Sequence, residues 1–261
     1  MEIDLSIIIL AGNEEKIISN CLETCNFAPE IILVAANSTD DTKKIAQSAS
    51  RRIKIIETSD EYNKHFSKWR NLGYKAATKK WLLYIDADEK ITPTLKQEIL
   101  STINQKEYTH FAIPRANYFL GKRVRHGGTY PDYVKRLFLK SVFKGYHGIL
   151  HEEPIITGTL GYLKCDLLHF THRDLFSMVQ KTLAWTDMEA KALYDSKHPK
   201  IVWWRIIRMM ITKLWQRLIL EKMWQDGTIG WISSIYESFD TFIIYARLWE
   251  LQQNDKKSRH L

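Results

Sequence analysis

Hydrophobic and polar positions alternate in blocks over the first hundred residues. Four short apolar runs are bounded by polar turns, as buried strands are, and they cover residues 5–10, 31–34, 53–56 and 81–85. Helical periodicity begins near residues 14 and 41 and also covers residues 68–77. Strands that alternate with helices predict an α/β fold, with a mostly parallel sheet and helices on both faces. Polar residues that follow the strands should therefore gather at one edge of the sheet.

The rest of the chain has a different pattern. Residues 110–172 hold β-like pieces between glycine-rich turns and are expected to complete a site that the sheet begins. From Asp174 onward the periodicity is helical, and a last helix is predicted from about Gly230 through Trp249. We therefore divide the chain into an α/β domain over residues 1–172 and a helical C-terminal region over residues 173–261.

The charge of the chain narrows the class of partner. Lys and Arg total 38 against 30 Asp and Glu, which gives a formal net charge of +8. Such an excess suits a polyanionic ligand, a nucleic acid or an anionic membrane surface. Nucleic-acid binding is disfavoured because the basic residues are spread along the chain and no recognition motif is present.

The three cysteines are Cys21, Cys25 and Cys165. An odd and sparse set argues against a disulfide framework and indicates a reducing compartment. Cys21 and Cys25 are one helical turn apart, but no second Cys or His pair follows at metal-ligand spacing, so buried thiols are favoured over a metal pair. No signal peptide or membrane-spanning run is recognisable, and we expect a cytoplasmic protein.

The sharpest chemical signal is a short acidic motif. Asp86, Asp88 and Glu89 directly follow the fourth apolar run. Mg²⁺ and Mn²⁺ prefer oxygen ligands, usually one or two carboxylates together with diphosphate oxygens. A cation held here would neutralise charge that grows on a departing diphosphate. The alternative interpretation is a solvated turn followed by a helix N-cap.

Three further motifs accompany the acidic one: Asn-Glu-Glu at residues 13–15, Ser-Thr-Asp-Asp at 38–41 and Trp-Arg-Asn-Leu-Gly at 69–73. In this order and spacing, the four motifs resemble the N-terminal half of family 2 glycosyltransferases, which have the GT-A fold. The likeness continues to one branch of that family, the lipopolysaccharide core-biosynthesis glucosyltransferases, at residues 121–128, 130–132, 136–138, 151–152, 167–170, 226–230 and 242–249.

This resemblance implies an inverting, metal-dependent hexosyltransferase. The donor would be a nucleotide sugar, UDP-linked and carrying glucose or a related hexose. The acceptor would be a glycolipid or glycan in lipopolysaccharide core or other cell-surface glycan synthesis. Within the α/β domain, residues 1–108 or so would bind the nucleotide sugar, and residues 109–172 or so would face the acceptor. A catalytically silent homologue that binds nucleotide sugars or membranes is the alternative.

The resemblance also implies roles for individual residues. Asp88 is the expected direct ligand of Mg²⁺ or Mn²⁺, and Asp86 is expected as a second carboxylate at the metal that also faces the donor sugar or ribose. A further ligand is expected from His169, with His172 as the second candidate and a purely structural histidine as the alternative. Further donor contacts are expected from Glu14, Asn37, Asp40 and Arg70, of which Arg70 would lie near the diphosphate.

An inverting transfer needs a base that removes the proton of the acceptor hydroxyl as it attacks the anomeric carbon. Glu152 matches the branch motif and is the first candidate, while Asp132 is the rival. Asp132 has an alternative interpretation as a turn residue after proline. Glu153 is interpreted as solvent-exposed.

One position departs from the family pattern. Ala35 stands where family members usually carry an aspartate that reads the nucleotide base. A methyl group accepts no hydrogen bond, so either Asn37 or a backbone group replaces that contact, or the donor is not the usual UDP-sugar.

The C-terminal region is rich in tryptophan and basic residues. Its Trp residues at 203, 204, 215 and 224 lie near basic residues at 205, 208, 213, 217 and 222. Such a segment suits the interfacial layer of a membrane, here peripherally at the cytoplasmic face of the inner membrane. The alternative is a helix that packs its apolar face, including Trp203, Ile207 and Ile211, on the catalytic domain.

Overall fold

The computed structural model describes residues 3–58, 65–148, 152–171 and 173–258. Its contacts divide the chain into two compact units. The first comprises Met1–Ala116 and Pro131–His169, and the second comprises Asn117–Tyr130 and Phe170–Leu261.

The secondary structure follows the predicted alternation. The strands are β1 (Leu5–Ala11), β2 (Glu30–Ala36), β3 (Ile53–Thr58), β4 (Trp81–Asp86), β5 (Glu89–Ile91), β6 (His110–Phe119), β7 (Lys122–Arg123), β8 (Asp132–Leu139), β9 (Phe143–His147), β10 (Glu153–Ile156), β11 (Leu160–Tyr162) and β12 (Leu167–His169). The helices are α1 (Ile18–Cys25), α2 (Thr42–Ala49), α3 (Phe66–Ala76), α4 (Pro93–Thr102), α5 (Leu175–Asp195), α6 (Trp203–Trp215) and α7 (Thr228–Ser258).

The main sheet is mixed, with a parallel first half. Its order is β3-β2-β1-β4-β8-β6-β12-β5. The pairs β1·β2, β1·β4 and β2·β3 are parallel, whereas β4·β8, β6·β8 and β12·β5 are antiparallel. The predicted α/β fold with a parallel β1–β4 core is therefore confirmed, and the later strands extend it in antiparallel pairings.

Each face of the sheet carries its own hydrophobic core. Ile7 and Ile9 of β1 point to one core, which is completed by residues of α1, α2 and α4. Ile8 points to the other, which contains Trp69 of α3 and the aromatic residues of β8 and β9. Because both faces are covered, the strands read as continuous apolar runs rather than as alternating ones. This explains why the sequence pattern located them.

Gly73 lets α3 approach β1 closely. A Cβ atom at this position would lie 2.3 Å from Cγ2 of Ile8, well inside van der Waals contact. The glycine of the Arg-Asn-Leu-Gly motif is therefore required by packing, and it brings the neighbouring Arg70 to the sheet.

In the second unit, α7 packs against both α5 and α6. Thr182 of α5 bonds to Tyr236 and Asp240 of α7, and Arg217 contacts Glu221 and Glu237. Arg217 is thus buried in ion pairs and is not available to a membrane surface, contrary to the sequence interpretation. Among the helices described, none is both long and apolar enough to cross a bilayer.

The late Asp-Gly-x-x-Gly motif has a structural explanation in the same unit. The carboxylate of Asp226 accepts hydrogen bonds from the backbone N–H groups of Arg125 and His126 at 3.1 and 2.9 Å. A Cβ atom at Gly230 would collide with the carbonyl oxygen of Met223. The motif therefore fixes the start of α7, and through Asp226 it also fixes the backbone at Arg125 and His126.

Candidate active site

The carboxyl ends of the parallel strands meet at one edge of the sheet, as predicted. The strand register pairs Leu10 with Asp86 and Ala11 with Ala35. The loops after β1, β2 and β4 consequently lie beside one another, at the edge where ligands bind in sheets of this type. The acidic motif is at this edge, which makes it the candidate active site.

Side chains tie the loops after β1 and β2 together. Asp40 accepts hydrogen bonds from the N–H of Glu15 at 3.0 Å and from the N–H and hydroxyl of Thr42. The Thr42 hydroxyl in turn accepts from the N–H of Glu14 at 2.8 Å. Burial would raise the pKa of Asp40, but the hydrogen bonds from Thr42 and Glu15 lower it. Ionised Asp40 thus fixes the loop that carries Glu14.

The end of β2 is shaped by Asn37 and Ala35. Asn37 has a left-handed backbone conformation, with φ at 50°, which asparagine tolerates better than most residues. Its N–H donates to the hydroxyl of Thr58 at 3.2 Å, and that hydroxyl donates to Asn37 Oδ1 at 3.3 Å. Ala35 is buried, and its methyl group can neither donate nor accept a hydrogen bond at this edge.

Asp86, the last residue of β4, is bonded by an arginine on each carboxylate oxygen. Nη2 of Arg70, from α3, donates to Oδ1 at 2.9 Å, and Nη2 of Arg136, from β8, donates to Oδ2. Arg136 also donates to the fully buried Glu89 at 2.8 Å. Burial would raise the pKa of Asp86, but Arg136 and Arg70 outweigh it and hold this pKa well below its ordinary value. Asp86 is therefore a permanent anion between two buried cations.

Asp88 lies in the turn between β4 and β5 and is close to His169. Nε2 of His169 is 3.6 Å from Oδ2 of Asp88, and both side chains are only slightly exposed. The antiparallel pairing of β12 with β5 creates this contact, because it places His169 opposite Glu89. The structure thus brings together the two side chains that were expected to share a metal.

The geometry of this pair suits one divalent cation. Two neighbouring ligands at about 2.1 Å from one ion are separated by roughly 3–4 Å. A separation of 3.6 Å lies inside that range. No group of three or more His, Cys, Asp and Glu side chains within the described residues could hold an ion. Asp88 and His169 would therefore hold an ion together with oxygen ligands from a substrate.

Both candidate bases are joined to the same network. Glu152 accepts a hydrogen bond from Nε of Arg70 at 3.0 Å. Asp132 accepts from Nε and Nη2 of Arg115 at 2.9 and 2.6 Å, and Nη1 of Arg115 lies 3.8 Å from Glu89. A chain of alternating charges therefore runs from Asp132 through the acidic motif to Glu152.

Other expected residues fall outside this network. Glu153 is exposed, as predicted. His151 and His172 lie outside the described residues. The Cys21 and Cys25 thiols are free and buried beneath the acidic turn, and the Sγ of Cys21 is 3.6 Å from the carbonyl oxygen of Asp86.

Sequence reasoning did not find Arg115, and it named Glu89 and Arg136 only as parts of motifs, without a role in the site. A sequence signal existed for Arg136, because this charged residue directly precedes the apolar Leu137 and Phe138 of β8. In the structure all three residues are buried. An arginine in such a run is stable only with partners, and here these are Asp86 and Glu89.

Aromatic residues hold Arg70 in place. Its guanidinium carbon lies 5.9 Å from the ring centroid of Tyr84 and 5.5 Å from that of Tyr146. The Tyr84 hydroxyl donates to the Arg70 carbonyl oxygen at 3.2 Å. Cation–π contacts of this kind stabilise a desolvated arginine and fix its orientation. Arg70 is consequently a rigid bridge between Asp86 and Glu152.

Comparisons with known proteins agree with this architecture. Over 95% of its length, the chain is 23% identical to a lipopolysaccharide core biosynthesis glycosyltransferase, LpsC, of Rhizobium meliloti, and the match covers 93% of that protein. It is 24% identical to an uncharacterized glycosyltransferase of Rickettsia typhi, with 95% of this chain and 87% of that protein covered.

The solved structure of S. aureus TarS (residues 1–349) in complex with UDP-GlcNAc has a similar fold. The TM-score is 0.51 at 12% identity, and the match covers 97% of this chain and 92% of that solved fragment. This likeness concerns the fold alone, and it accords with a GT-A sheet followed by C-terminal helices. The sequence model of glycosyl transferase family 2 matches residues 6–170, which is more than half of the chain. The chain is a member of glycosyl transferase family 2.

Proposed function

We propose that this chain is a metal-dependent inverting hexosyltransferase. It transfers glucose or a related hexose from a UDP-sugar to an acceptor hydroxyl in lipopolysaccharide core or other cell-surface glycan synthesis. The observation that carries the proposal is the juxtaposition of Asp88 and His169 with the Asp86–Arg70–Glu152 chain at one sheet edge. The relationship to LpsC of R. meliloti supports the class of acceptor.

Asp88 and His169 would hold Mg²⁺ or Mn²⁺ against the donor diphosphate. A divalent ion there supplies Lewis-acid neutralisation of the charge on the leaving diphosphate. Asp86 is held by Arg70 and Arg136, so it would orient the donor sugar or ribose through its exposed side. The rigid, desolvated arrangement means that little reorganisation is needed as charge develops.

Glu152 is the proposed base. It accepts the proton of the acceptor hydroxyl while that oxygen forms a bond to the anomeric carbon and the bond from that carbon to the diphosphate oxygen breaks. The hydrogen bond from Arg70 keeps the Glu152 carboxylate oriented. Attack from the side opposite the leaving group inverts the anomeric configuration.

Donor recognition would differ from the family pattern at the nucleotide base. Ala35 supplies no acceptor, and Asn37, held by Thr58, is the nearest polar group at the end of β2. Glu14 and the loop fixed by Asp40 would complete the nucleoside side of the site. A catalytically silent homologue that binds sugar nucleotides is the rival function, and Ala35 is the observation that favours it.

A donor screen separates the two functions. We expect metal-dependent release of UDP from UDP-glucose or a related UDP-hexose, because Asp88 and His169 would hold the cation and Glu152 would act as the base. Nucleotide release would be measured for UDP-, GDP- and CMP-sugars with Mn²⁺, Mg²⁺ or EDTA, and product anomers by NMR. Tight donor binding by calorimetry, without turnover in any acceptor mixture, would establish the silent homologue instead.

The exposed face of α6 supports the proposed membrane contact. Trp203, Ile207, Ile211 and Trp215 form a stripe at helical spacing and are 74%, 49%, 62% and 59% exposed. Trp203, Ile207 and Ile211 therefore lie on the exposed side of α6, while Leu214 and the following Leu218, from the same predicted apolar face, pack in a core with Phe119 and Val124. Arg208 and the other basic residues of α6 occur without a single acidic residue in the helix. An apolar face flanked by cations fits an anionic lipid surface.

Vesicle binding tests this contact. We expect the protein to co-sediment with vesicles that contain phosphatidylglycerol and to bind pure phosphatidylcholine at least about tenfold more weakly. The double substitution Trp203→Ser and Ile207→Ser should reduce binding about tenfold or more, because it removes buried apolar area. Tyr162→Ser, at an equally exposed aromatic residue of the first unit, is the matched control. Equal binding by all three proteins would exclude α6 as the contact.

A further inference from the structure

The long helix α7 carries an apolar seam with the spacing of a coiled coil. The seam residues are separated by 3, 4, 3, 4 and 3 positions and comprise Ile232, Ile235, Phe239, Phe242, Ala246 and Trp249. This is a heptad pattern of a and d positions over almost three heptads. A straight helix drifts only about 20° per heptad from this repeat, so the residues stay on one face over that length.

The seam is open in the structure. Its five large side chains are 38–55% exposed, although the opposite side of α7 is covered by α5 and α6. Ser234 and Leu248 on that covered side are buried. The helix therefore has two apolar faces, of which one forms the core of the second unit and the other lacks a partner among the described residues.

The size of the seam is that of a small specific interface. Large apolar side chains that are about half exposed offer together on the order of 450–500 Å² per chain. Monomeric proteins rarely expose a contiguous apolar patch of this size without a binding role. Two such seams packed together would bury roughly 1,000 Å², which reaches the lower range of specific protein interfaces.

Charge distinguishes this seam from the stripe on α6. The positions that border it between Ile232 and Trp249 are Tyr236, Ser238, Ile243 and Tyr245, and none is charged. Glu237 and Arg247, which are charged residues of the same helix, are used in ion pairs within the unit. An uncharged seam offers nothing to lipid phosphates, whereas it is self-complementary to a copy of itself.

We propose that the α7 seam packs against the same seam of a second copy of this chain, with the two helices antiparallel. In an antiparallel pair each a residue meets a d residue of the partner helix. The layers would be Ile232 with Trp249, Ile235 with Ala246, and Phe239 with Phe242, about one two-fold axis. Every layer with a small residue then also contains a larger one, whereas a parallel pair would place two alanines beside two tryptophans.

The mass of the protein in solution tests the proposal. In sedimentation velocity at about 5–50 μM, the wild-type chain should have the mass of two copies. Phe239→Glu should shift it to the mass of one copy, because the two-fold axis would bury two carboxylates in an apolar seam. Ile211→Glu, on the exposed face of α6, is the matched control and should leave the mass unchanged. Since Phe239 is half exposed, its variant should keep the wild-type circular dichroism and melting temperature.

Disulfide trapping tests the orientation. In a Cys165→Ser background, a mixture of differently tagged Ile235→Cys and Ala246→Cys chains should cross-link to each other, and neither variant should cross-link to itself. Cross-linking of each variant with itself would show a parallel pair and overturn the antiparallel arrangement. A wild-type mass of one copy throughout, or a Phe239→Glu chain that still has the mass of two, would overturn the interface altogether. Protection of the seam from chemical modification by lipid vesicles, and not by a second copy of the chain, would also overturn the interface.

Discussion

Asp88→Ala is expected to lower metal-dependent glycosyl transfer by at least about 10²- to 10³-fold. Asp88 is the carboxylate in the acidic motif that lies beside His169, whereas both oxygens of Asp86 are bonded to arginines. Loss of Asp88 would leave a single histidine to hold the ion, and stabilisation of the leaving diphosphate would fall with it. The measurement is kcat/KM for UDP release over a series of Mn²⁺ concentrations.

His169→Ala provides a graded comparison. It should raise the Mn²⁺ concentration for half-maximal activity about tenfold or more, with a smaller loss of kcat at saturating metal. Asp195→Ala, at an exposed carboxylate at the end of α5, is the control for a general loss of charge. Wild-type activity of Asp88→Ala at every Mn²⁺ concentration would remove the metal from the proposed mechanism.

Local patterns were enough to predict the sheet and its binding edge. Strands such as β1 and β4 are buried on both faces, so their sequences are unbroken apolar runs that end at polar turns. The side of the sheet where Asp86 and Asn37 lie then follows from parallel pairing alone. The positions of these residues could therefore be read from sequence, in the same way as the strands.

The ion pairs at the site could not be predicted, because they depend on strand order. Strand β8 lies between β4 and β6, and the pairing of Leu82 with Phe138 brings Arg136 to Asp86 from a point 50 residues further along the chain. No periodicity encodes this order. The strand order, and with it the pairing of Arg136 with Asp86, is a property of the whole fold.

Helix periodicity has a similar limit. The spacing of Trp203, Ile207 and Ile211 locates an apolar face of α6, but it does not say whether that face is buried. In the structure the chain packs through Leu214 and the following Leu218, whereas Trp203, Ile207 and Ile211 are exposed. An amphipathic pattern identifies a face that avoids water, and the partner of that face is decided by the rest of the fold.

Glu152→Gln is expected to lower kcat by about 10²- to 10³-fold with little change in donor affinity. The amide oxygen of glutamine can still accept the hydrogen bond from Nε of Arg70, so Asp86 and Arg70 should keep their positions. What is lost is a carboxylate that can take the acceptor proton, and general bases contribute about this factor. The measurements are kcat and KM for transfer, with the dissociation constant of UDP-glucose determined by calorimetry on the same protein.

Asp132→Asn is the matched substitution at the rival base. Asp132 accepts hydrogen bonds from Arg115, and asparagine can keep one of these hydrogen bonds. If Glu152 is the base, Asp132→Asn should lower kcat/KM about tenfold or less. The effect should lie mainly in KM for the acceptor, because the substitution alters the orientation of the neighbouring Arg115. A larger loss of kcat in Asp132→Asn than in Glu152→Gln, at equal donor affinity, would exchange the two roles. A parallel loss of donor affinity in Glu152→Gln would instead identify Glu152 as a residue that positions Arg70.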